Sequence, residues 1–583
     1  MSQFLIVDNR KMSLKVLLEK YAALIVFALC IFCSSFSFMR QVSISPGNIL
    51  YLSALAVATS LAIAFYFNFR YRTKTLYCAI MFFVLSVSLL CWLYGLHRTE
   101  LKAVYVFATF AVFAVLLTAY LIISKKMTAG HMILLVFAFG FMLRFTYVLV
   151  TPIGVRQHDF YGFTEDGHGG YIKYLYENNF KLPSTDPRDT DQFYHPPFHY
   201  FICALWWKLQ SLIGIENSYA QENIQTLTLF YSSVCMILTY KIMKRFNLSG
   251  LPLVVGVAIM AFHPTFIIFS GSVNNDILSV TFMLAAMNGA MKWYKSDKPG
   301  DIILTAVYIG LGMMTKLSAY MICIPVAVIF ALRFFAVKKG DGFKNSVKRY
   351  SAQFGVFLAV CAPLALFWSI RNAVLFGMPA SYVQKLGEDS WQYVGNYTFI
   401  QRILLLKPID VHSYSVYDQW VNRGARLYNE FNPLVSLLKT AMFGEYINNY
   451  DYGALTGFGD LLFWSGAILA LLSFGCAVHV VIRAVVSKEN LPLKITLAVA
   501  YASMLLFYYI FCFTYPHHCT MNVRYVSPLI LFGATFIALD LKEINVSLDE
   551  KRSKIITRSV ASVTATFSLF STVMIMIIAS YTL

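Results

Sequence analysis

Between two apolar segments the chain reads RQHDFYGFTEDGHGGYIKYLYENNFKLPSTDPRDTDQFYHPPFHYF, from Arg156 to Phe201. Asp159 stands just beyond the end of an apolar run, and Glu165, Asp166 and His168 follow within ten residues. A carboxylate held beside a membrane-bound substrate can take the proton from a hydroxyl or amine as that group attacks an activated carbon. Any one of these acids taken singly is better explained as a solvated loop charge. As a group they are the candidates for a general base.

A second set of residues carries positive charge. Lys316 interrupts GLGMMTKLSAY, Arg371 follows FWSI, and Arg524 with Tyr525 opens VRYVSP. Cations fixed at the headgroup level bind a lipid-linked phosphate or pyrophosphate, and arginine does so with two parallel hydrogen bonds. The plain alternative is snorkelling of single side chains to lipid headgroups. In GSVNNDILS, Asn274, Asn275 and Asp276 precede a helix, where capping of its free amides is sufficient reason for them and substrate binding is the second reading. His195 before Pro196, and His263 before Pro264, suit packing at the membrane interface or contact with a substrate. His517, His518 and Cys519 are metal-ligand types, but three adjacent residues lack the spacing of a metal site. Asn396-Tyr-Thr is a glycosylation triplet of a kind that chance often produces.

The elements that must hold these residues are set by composition. Of 583 residues, 58% are hydrophobic and only 13% charged, and the mean hydropathy is +0.63. Soluble proteins carry about 25% charged residues, which excludes a soluble globular enzyme and a disordered chain. Crossing the hydrocarbon takes about 20 apolar residues, and runs of that kind predict about fifteen helices. They fall at 20–39, 47–68, 75–95, 102–124, 131–151, 223–240, 250–270, 277–293, 300–315, 317–335, 351–370, 456–482, 491–513, 525–541 and 555–581.

Lys and Arg outnumber Asp and Glu 47 to 29, a formal net charge of +18. In a soluble chain that excess would raise nucleic acid as a partner; here it sits in short loops on one side, which the positive-inside bias makes cytoplasmic. Arg10, Lys11 and Lys15 precede the first span, and Lys241, Lys244 and Arg245, then Lys338 to Arg349, then Lys551, Arg552 and Lys554 fall on the same side. Residues 196–214 are apolar enough to span, but counting them would invert every later loop. Their Pro-Pro start and paired Trp206 and Trp207 suit a juxtamembrane helix at the outer face. The first apolar run lacks a small-residue cleavage site and is expected to be retained. The 11 cysteines lie mostly inside apolar runs and outline neither a disulfide framework nor a zinc site.

The organisation expected is an accessory four-helix membrane region over residues 1–130, a functional module over 131–541, and a cytoplasmic linker with a last helix over 542–583. Two long polar loops, about 151–222 and 371–451, lie outside; loops of that length are often functional.

Several of these stretches agree with a family. HDFYGFTEDGH, YHPPFHY, HPTFIIFSGSVNND, TKLS, WSIRNAVLFGMP and VRYVSP occur in order between His158 and Pro528. The chain thereby resembles the GT-C membrane glycosyltransferases of the protein O-mannosyltransferase and aminoarabinose-transferase type, which use polyprenyl-phosphate sugars. The resemblance implies an all-α polytopic fold and inverting sugar transfer at the external membrane face. Asp159 would be the base, with Asp166, Glu165 and His168 as the further catalytic candidates. Lys316, Arg371, Arg524 and Tyr525 would hold the departing phosphate, and His195, Asn275 and Asp276 would touch substrate. The family pattern often has adjacent Asp-Glu soon after the helix, whereas Phe160 follows Asp159 here, so the base is open between Asp159 and the Glu165–Asp166 pair. No cofactor is required, and a divalent metal is compatible but not indicated. The partners implied are a polyprenyl-phosphate-sugar donor, a glycan, lipid or protein acceptor and membrane lipids, without nucleic acid. The expected location is a bacterial cell membrane, N-terminus cytoplasmic and active site external. The competing readings are a transporter or flippase of a lipid-linked sugar, and a ligase transferring a whole glycan from a lipid pyrophosphate. The absence of internal repeats and the placement of charges at the interface favour the enzyme.

Overall fold

A computed structural model describes residues 21–31, 33, 102–380, 382–406, 414–417 and 430–581. The spans expected at 47–68 and 75–95 lie outside the described residues. The chain divides between Met127 and Thr128 into two compact units. In the first, the described residues form a helical stretch at Tyr21–Ile31 and helix α1 (Lys102–Ile123).

The second unit is a helical bundle. Its elements are α2 (Ala129–Leu149), α3 (Gly167–Glu177), α4 (Phe198–Leu212), α5 (Asn217–Glu222), α6 (Gln225–Arg245), α7 (Gly250–Phe262), α8 (Pro264–Phe269) and α9 (Asp276–Ser296). There follow α10 (Pro299–Thr315), α11 (Cys323–Asp341), α12 (Phe343–Phe376), α13 (Phe399–Leu404) and α14 (Pro433–Phe443). The last are α15 (Phe458–Ser487), α16 (Leu491–Thr514), α17 (Pro528–Ser547) and α18 (Glu550–Ser580). Among the described residues there is no strand, only an isolated bridge between Tyr393 and His517. In a low-dielectric solvent every backbone group must be paired within the chain, which favours helices.

Among the described residues seven helical stretches are long and apolar enough to cross a membrane, and the chain is an integral membrane protein. The number falls short of the fifteen runs for physical reasons beyond the undescribed segments. The run 250–270 is not one helix: Pro264 has no amide to donate to the Met260 carbonyl, and α7 stops at Phe262. At 17 residues, α10 stands at the lower limit of the length that crosses the hydrocarbon. Residues 196–214 contain the 15-residue α4, about 22 Å long at 1.5 Å per residue. The apolar, mostly buried α14 lies within the stretch read as a polar external loop.

Helices α6, α7 and α9 are buried along most of their length. Around them α9 packs on α10 and α6, α10 on α12, α7 on α2, α17 and α18, and α15 on α17 and α18. Arg144 of α2 lies in this interior, fully buried. Its guanidinium donates to the carbonyls of Gly140 (2.8 Å), Ala261 (2.7 Å) and Met260 (3.4 Å), and to Ser232 Oγ (2.8 Å). The carbonyls left over by the Pro264 break are thus capped by a side chain from another helix. The C-terminal ends of α2, α10 and α14 and the N-terminal ends of α9 and α17 all open toward one end of the bundle, where their connecting segments meet.

Candidate functional site

After α2 the chain turns through three non-glycine residues in the left-handed region, Arg156, Asp159 and Tyr161, with φ of 52°, 48° and 51°. Asp is among the few L-residues that visit this conformation readily. Neighbouring side chains on an extended strand point apart; the turn at Asp159 instead brings His158 Nε2 to 2.6 Å from Asp159 Oδ2. That approach is an ion pair at close range without the alignment of a hydrogen bond. Gln192 Nε2 donates to the same oxygen at 3.3 Å.

Helix α3 clamps this loop from behind. The His168 amide donates to the Asp159 carbonyl (2.9 Å) and the Gly169 amide to that of Phe160 (3.1 Å). A Cβ on Gly169 would lie 1.8 Å from the Gly162 carbonyl oxygen, so only glycine permits the approach. Arg156 anchors the other flank by donating to Tyr452 Oη and the Val150 carbonyl, each at 2.6 Å.

The facing wall comes from the far side of the chain. Just past α14, Gly444 turns with φ of 60° and presents Glu445. Glu445 Oε2 is 2.5 Å from His158 Nδ1, and Oε1 accepts from Asn522 Nδ2 at 2.5 Å. Arg524 Nε stands 4.0 Å from Oε1. His158 is therefore held between two carboxylates.

Two more cations flank one aromatic ring. Lys316 leaves the end of α10 in extended backbone, and its ammonium forms a buried ion pair with Asp276, the first residue of α9. It also lies 5.1 Å from the centre of the Tyr525 ring. Arg524 stacks 4.8 Å from the same ring and donates to Tyr525 Oη at 2.8 Å. Asn275 Nδ2 donates to the Thr315 carbonyl at 3.2 Å, stitching the start of α9 to the end of α10. Behind these groups His168 Nδ1 lies 2.8 Å from Tyr200 Oη, and the rings of His168 and His195 stack at 5.9 Å.

The electrostatics follow from the burial of opposite charges together. Burial and Arg524 disfavour the imidazolium of His158, but Glu445 and Asp159 outweigh them and raise its pKa to about 9. Burial alone would raise the Asp159 carboxyl, yet the His158 imidazolium and then Arg524 hold it well below the usual carboxylate range. His168 and His195 are pushed far down, chiefly by burial, and are neutral. Asp191 is raised, by burial first and then by Asp159. The cations of His158, Lys316 and Arg524 balance the carboxylates of Asp159, Asp276 and Glu445 within one cluster.

The structure brings together Asp159, Asp276, Lys316, Arg524 and Tyr525, with His168 and His195 packed behind them. It does not bring the other candidates there. Glu165 and Asp166 are exposed, Glu165 pairing with Lys173 at 3.3 Å and Asp166 standing ahead of α3. Arg371 donates to the Pro183 carbonyl, bonds Asn372 Oδ1 at 2.8 Å and stacks 5.0 Å from Trp368. His517 Nε2 meets the Gly387 carbonyl at 3.1 Å and the Cys519 amide donates to Gln392 Oε1, so this triplet pins one loop on another. Among the described residues no group of three or more His, Cys, Asp or Glu side chains is arranged to hold a metal.

Sequence reasoning assigned no role to His158, Gln192, Glu445 or Asn522. The signal for Glu445 was available: PLVSLLKTAMFG is an apolar run ending in glycine, the pattern of a helix that stops just before this acid.

Residues 194–368 match the family model of dolichyl-phosphate-mannose-protein mannosyltransferases, which bears out the resemblance to GT-C membrane glycosyltransferases. The matched stretch contains His195, Asp276 and Lys316 and excludes Asp159, Glu445 and Arg524. No curated protein matches the chain significantly. Among solved structures, the archaeal oligosaccharyltransferase AglB from Archaeoglobus fulgidus, in complex with an inhibitory peptide and a dolichol-phosphate, is similar at 13% identity and a TM-score of 0.44, covering 77% of this chain and 56% of that one. A second oligosaccharyltransferase structure from the same organism, a complex with Zn and sulfate, is also 13% identical, with a TM-score of 0.43 and coverage of 77% and 53%. The chain thus spans little more than half the length of these structures.

Proposed function

We propose that the protein transfers a sugar from a polyprenyl-phosphate donor to an acceptor at the external membrane face, with Asp159 taking the acceptor's proton. The observation that carries this reading is the convergence of Asp159 with Lys316, Arg524 and Tyr525 in one half-buried cluster. A phosphate seated between Lys316 and Arg524 would relieve the repulsion between two cations that share one ring. Charge-assisted bonds to a phosphate are strongest where water is excluded.

In the reaction, the acceptor's hydroxyl or amine hydrogen bonds to Asp159 and its heteroatom attacks the anomeric carbon. The bond from that carbon to the phosphate oxygen breaks, and its electron pair stays on the phosphate, facing Lys316 and Arg524. The proton passes to Asp159. A carboxylate held so far down is ionised at every physiological pH but weakly basic, so it orients the acceptor early and receives the proton late, as the new bond forms. Attack opposite the leaving phosphate inverts the anomeric centre. No nucleotide-binding loop is needed, because the lipid phosphate is itself the leaving group.

Purified protein is incubated with radiolabelled polyprenyl-phosphate mannose and membrane or cell-wall extracts, and label is followed into lipid-free product. Asp159→Asn keeps a residue that tolerates the left-handed turn, and it is expected to reduce transfer by about 100-fold or more, the usual scale of general-base catalysis. Retained turnover in that variant removes Asp159 as the base. Movement of labelled lipid across liposomes without transfer to any acceptor removes the transferase reading altogether.

A further inference from the structure

We infer that Glu445 and His158 are a positioning pair: Glu445, carried by the second long loop, fixes the His158 imidazolium, and His158 in turn fixes the Asp159 carboxylate on the first. The catalytic consequence rests on the function proposed above; the pair itself does not.

The geometry is directional. Glu445 Oε2 is 2.5 Å from His158 Nδ1, whereas its other oxygen is 4.0 Å from Arg524 Nε, so the histidine and not the arginine is its first partner. Asn522 donates to Oε1 at 2.5 Å and holds the carboxylate in that orientation. The Glu445 and His158 side chains are mostly covered, at 8% and 13% exposure, while Asp159, at 31%, is the member that a substrate can reach. On the substrate side, the His158 and Gln192 contacts both fall on Asp159 Oδ2, which fixes the plane of the carboxylate.

The charged and titratable groups facing the pair come from every element around it. Asp159 and His168 belong to the first loop and α3, Asp276 to the start of α9, Cys519 and Arg524 to the segment before α17, and Tyr417 and Tyr446 to the second loop, while Asp191 and Lys316 face Asp159. Burial and Arg524 oppose a charge on His158, and Glu445 is the largest influence in its favour. Without the Glu445 charge the imidazole gives up its proton at a lower pH than in the natural protein, and Asp159 then loses one of the two cations that favour its ionised form.

The signs with pH are opposite for the two groups. His158 is raised on folding, so its contribution to stability is complete below its ordinary value near 6.5 and is lost as pH rises through about 9. Asp159 is lowered, so its contribution is present above about pH 4 and is lost as pH falls below that. Between those limits both charges are in place.

The test uses the full chain in detergent micelles with isotopically labelled histidine, and the His158 resonance is identified by its loss in His158→Gln. In the natural protein His158 is expected to remain an imidazolium until about pH 9. In Glu445→Gln it is expected to titrate at a clearly lower pH, and Glu445→Asp is expected to restore part of the difference. In parallel, the pH profile of transfer from polyprenyl-phosphate mannose is expected to narrow on the alkaline side in Glu445→Gln. A uniform loss at all pH values is what a merely structural role would give. Asn522→Ala, which removes the brace on Glu445 and no charge, is expected to move the His158 titration the same way by a smaller amount and stands in if Glu445→Gln does not fold. An unmoved His158 titration in these variants overturns the pair, whatever the transfer assay shows. A moved titration without transfer in the natural protein leaves the pair standing and overturns the proposed function alone.

Discussion

Arg144 and Arg524 are both arginines taken almost wholly out of water, and they are used in opposite ways. Arg144 spends its donors on backbone: three carbonyls and a serine hydroxyl surround it, and two of those carbonyls belong to the stretch where Pro264 interrupts the helical ladder. Arg524 meets side chains instead. Tyr525 takes one hydrogen bond, Glu445 stays at 4.0 Å, and the buried Nε has no hydrogen bond. A buried donor left unmade is costly unless something arrives to accept it. Burial of a cation therefore does not by itself mark a functional site.

The comparison breaks most clearly in two substitutions. Arg524→Gln is expected to lower transfer by about 100- to 1,000-fold, the scale of losing one donor to developing charge, while the thermal unfolding midpoint stays near that of the natural protein. Arg144→Leu should do the reverse. Leaving the Ala261 carbonyl bare in an apolar interior, with the Met260 carbonyl keeping only the His263 amide at 3.4 Å, costs about 1–3 kcal/mol, so the unfolding midpoint falls. Turnover per folded molecule is expected to change far less. Equal loss of stability in both variants would mean that Arg524 is structural too. Arg371 sharpens the same distinction at smaller amplitude. Its donors already serve the Pro183 carbonyl and Asn372, so Arg371→Ala is expected to reduce transfer only about threefold through a loosened first loop, well short of the loss of a full oxyanion-type donor. A loss as large as that of Arg524→Gln would show that the Pro183 contact opens when donor binds.

The membrane class and the positions of several long helices were legible because hydropathy is a local property, summed over about 20 neighbouring residues. Helices such as α2, α15, α16 and α18 lie within a few residues of the runs that predicted them. The break at Pro264 was readable too, since proline's missing amide acts within one turn, yet the run around it looked continuous on hydropathy alone. In the site, residue type pointed to Asp159, Lys316 and Arg524 as readily as to Glu165, Asp166 and Arg371. What separated them is where each side chain ended up. Asp159 is turned inward by a left-handed backbone and the glycine contact at Gly169, while Glu165 and Asp166, six and seven residues on, face water.

By itself the sequence determined a helical membrane chain, a loop rich in acids beyond α2, and cations at the ends of helices, because each of these depends on residues close together along the chain. The tertiary structure decided which of those charges meet. His158 and Glu445 are separated by 287 positions and Lys316 and Asp276 by 40, and their pairing depends on α14 packing against α8 and α10 against α9. No local pattern encodes a contact of that kind; only the packing of whole helices against one another brings its partners into range.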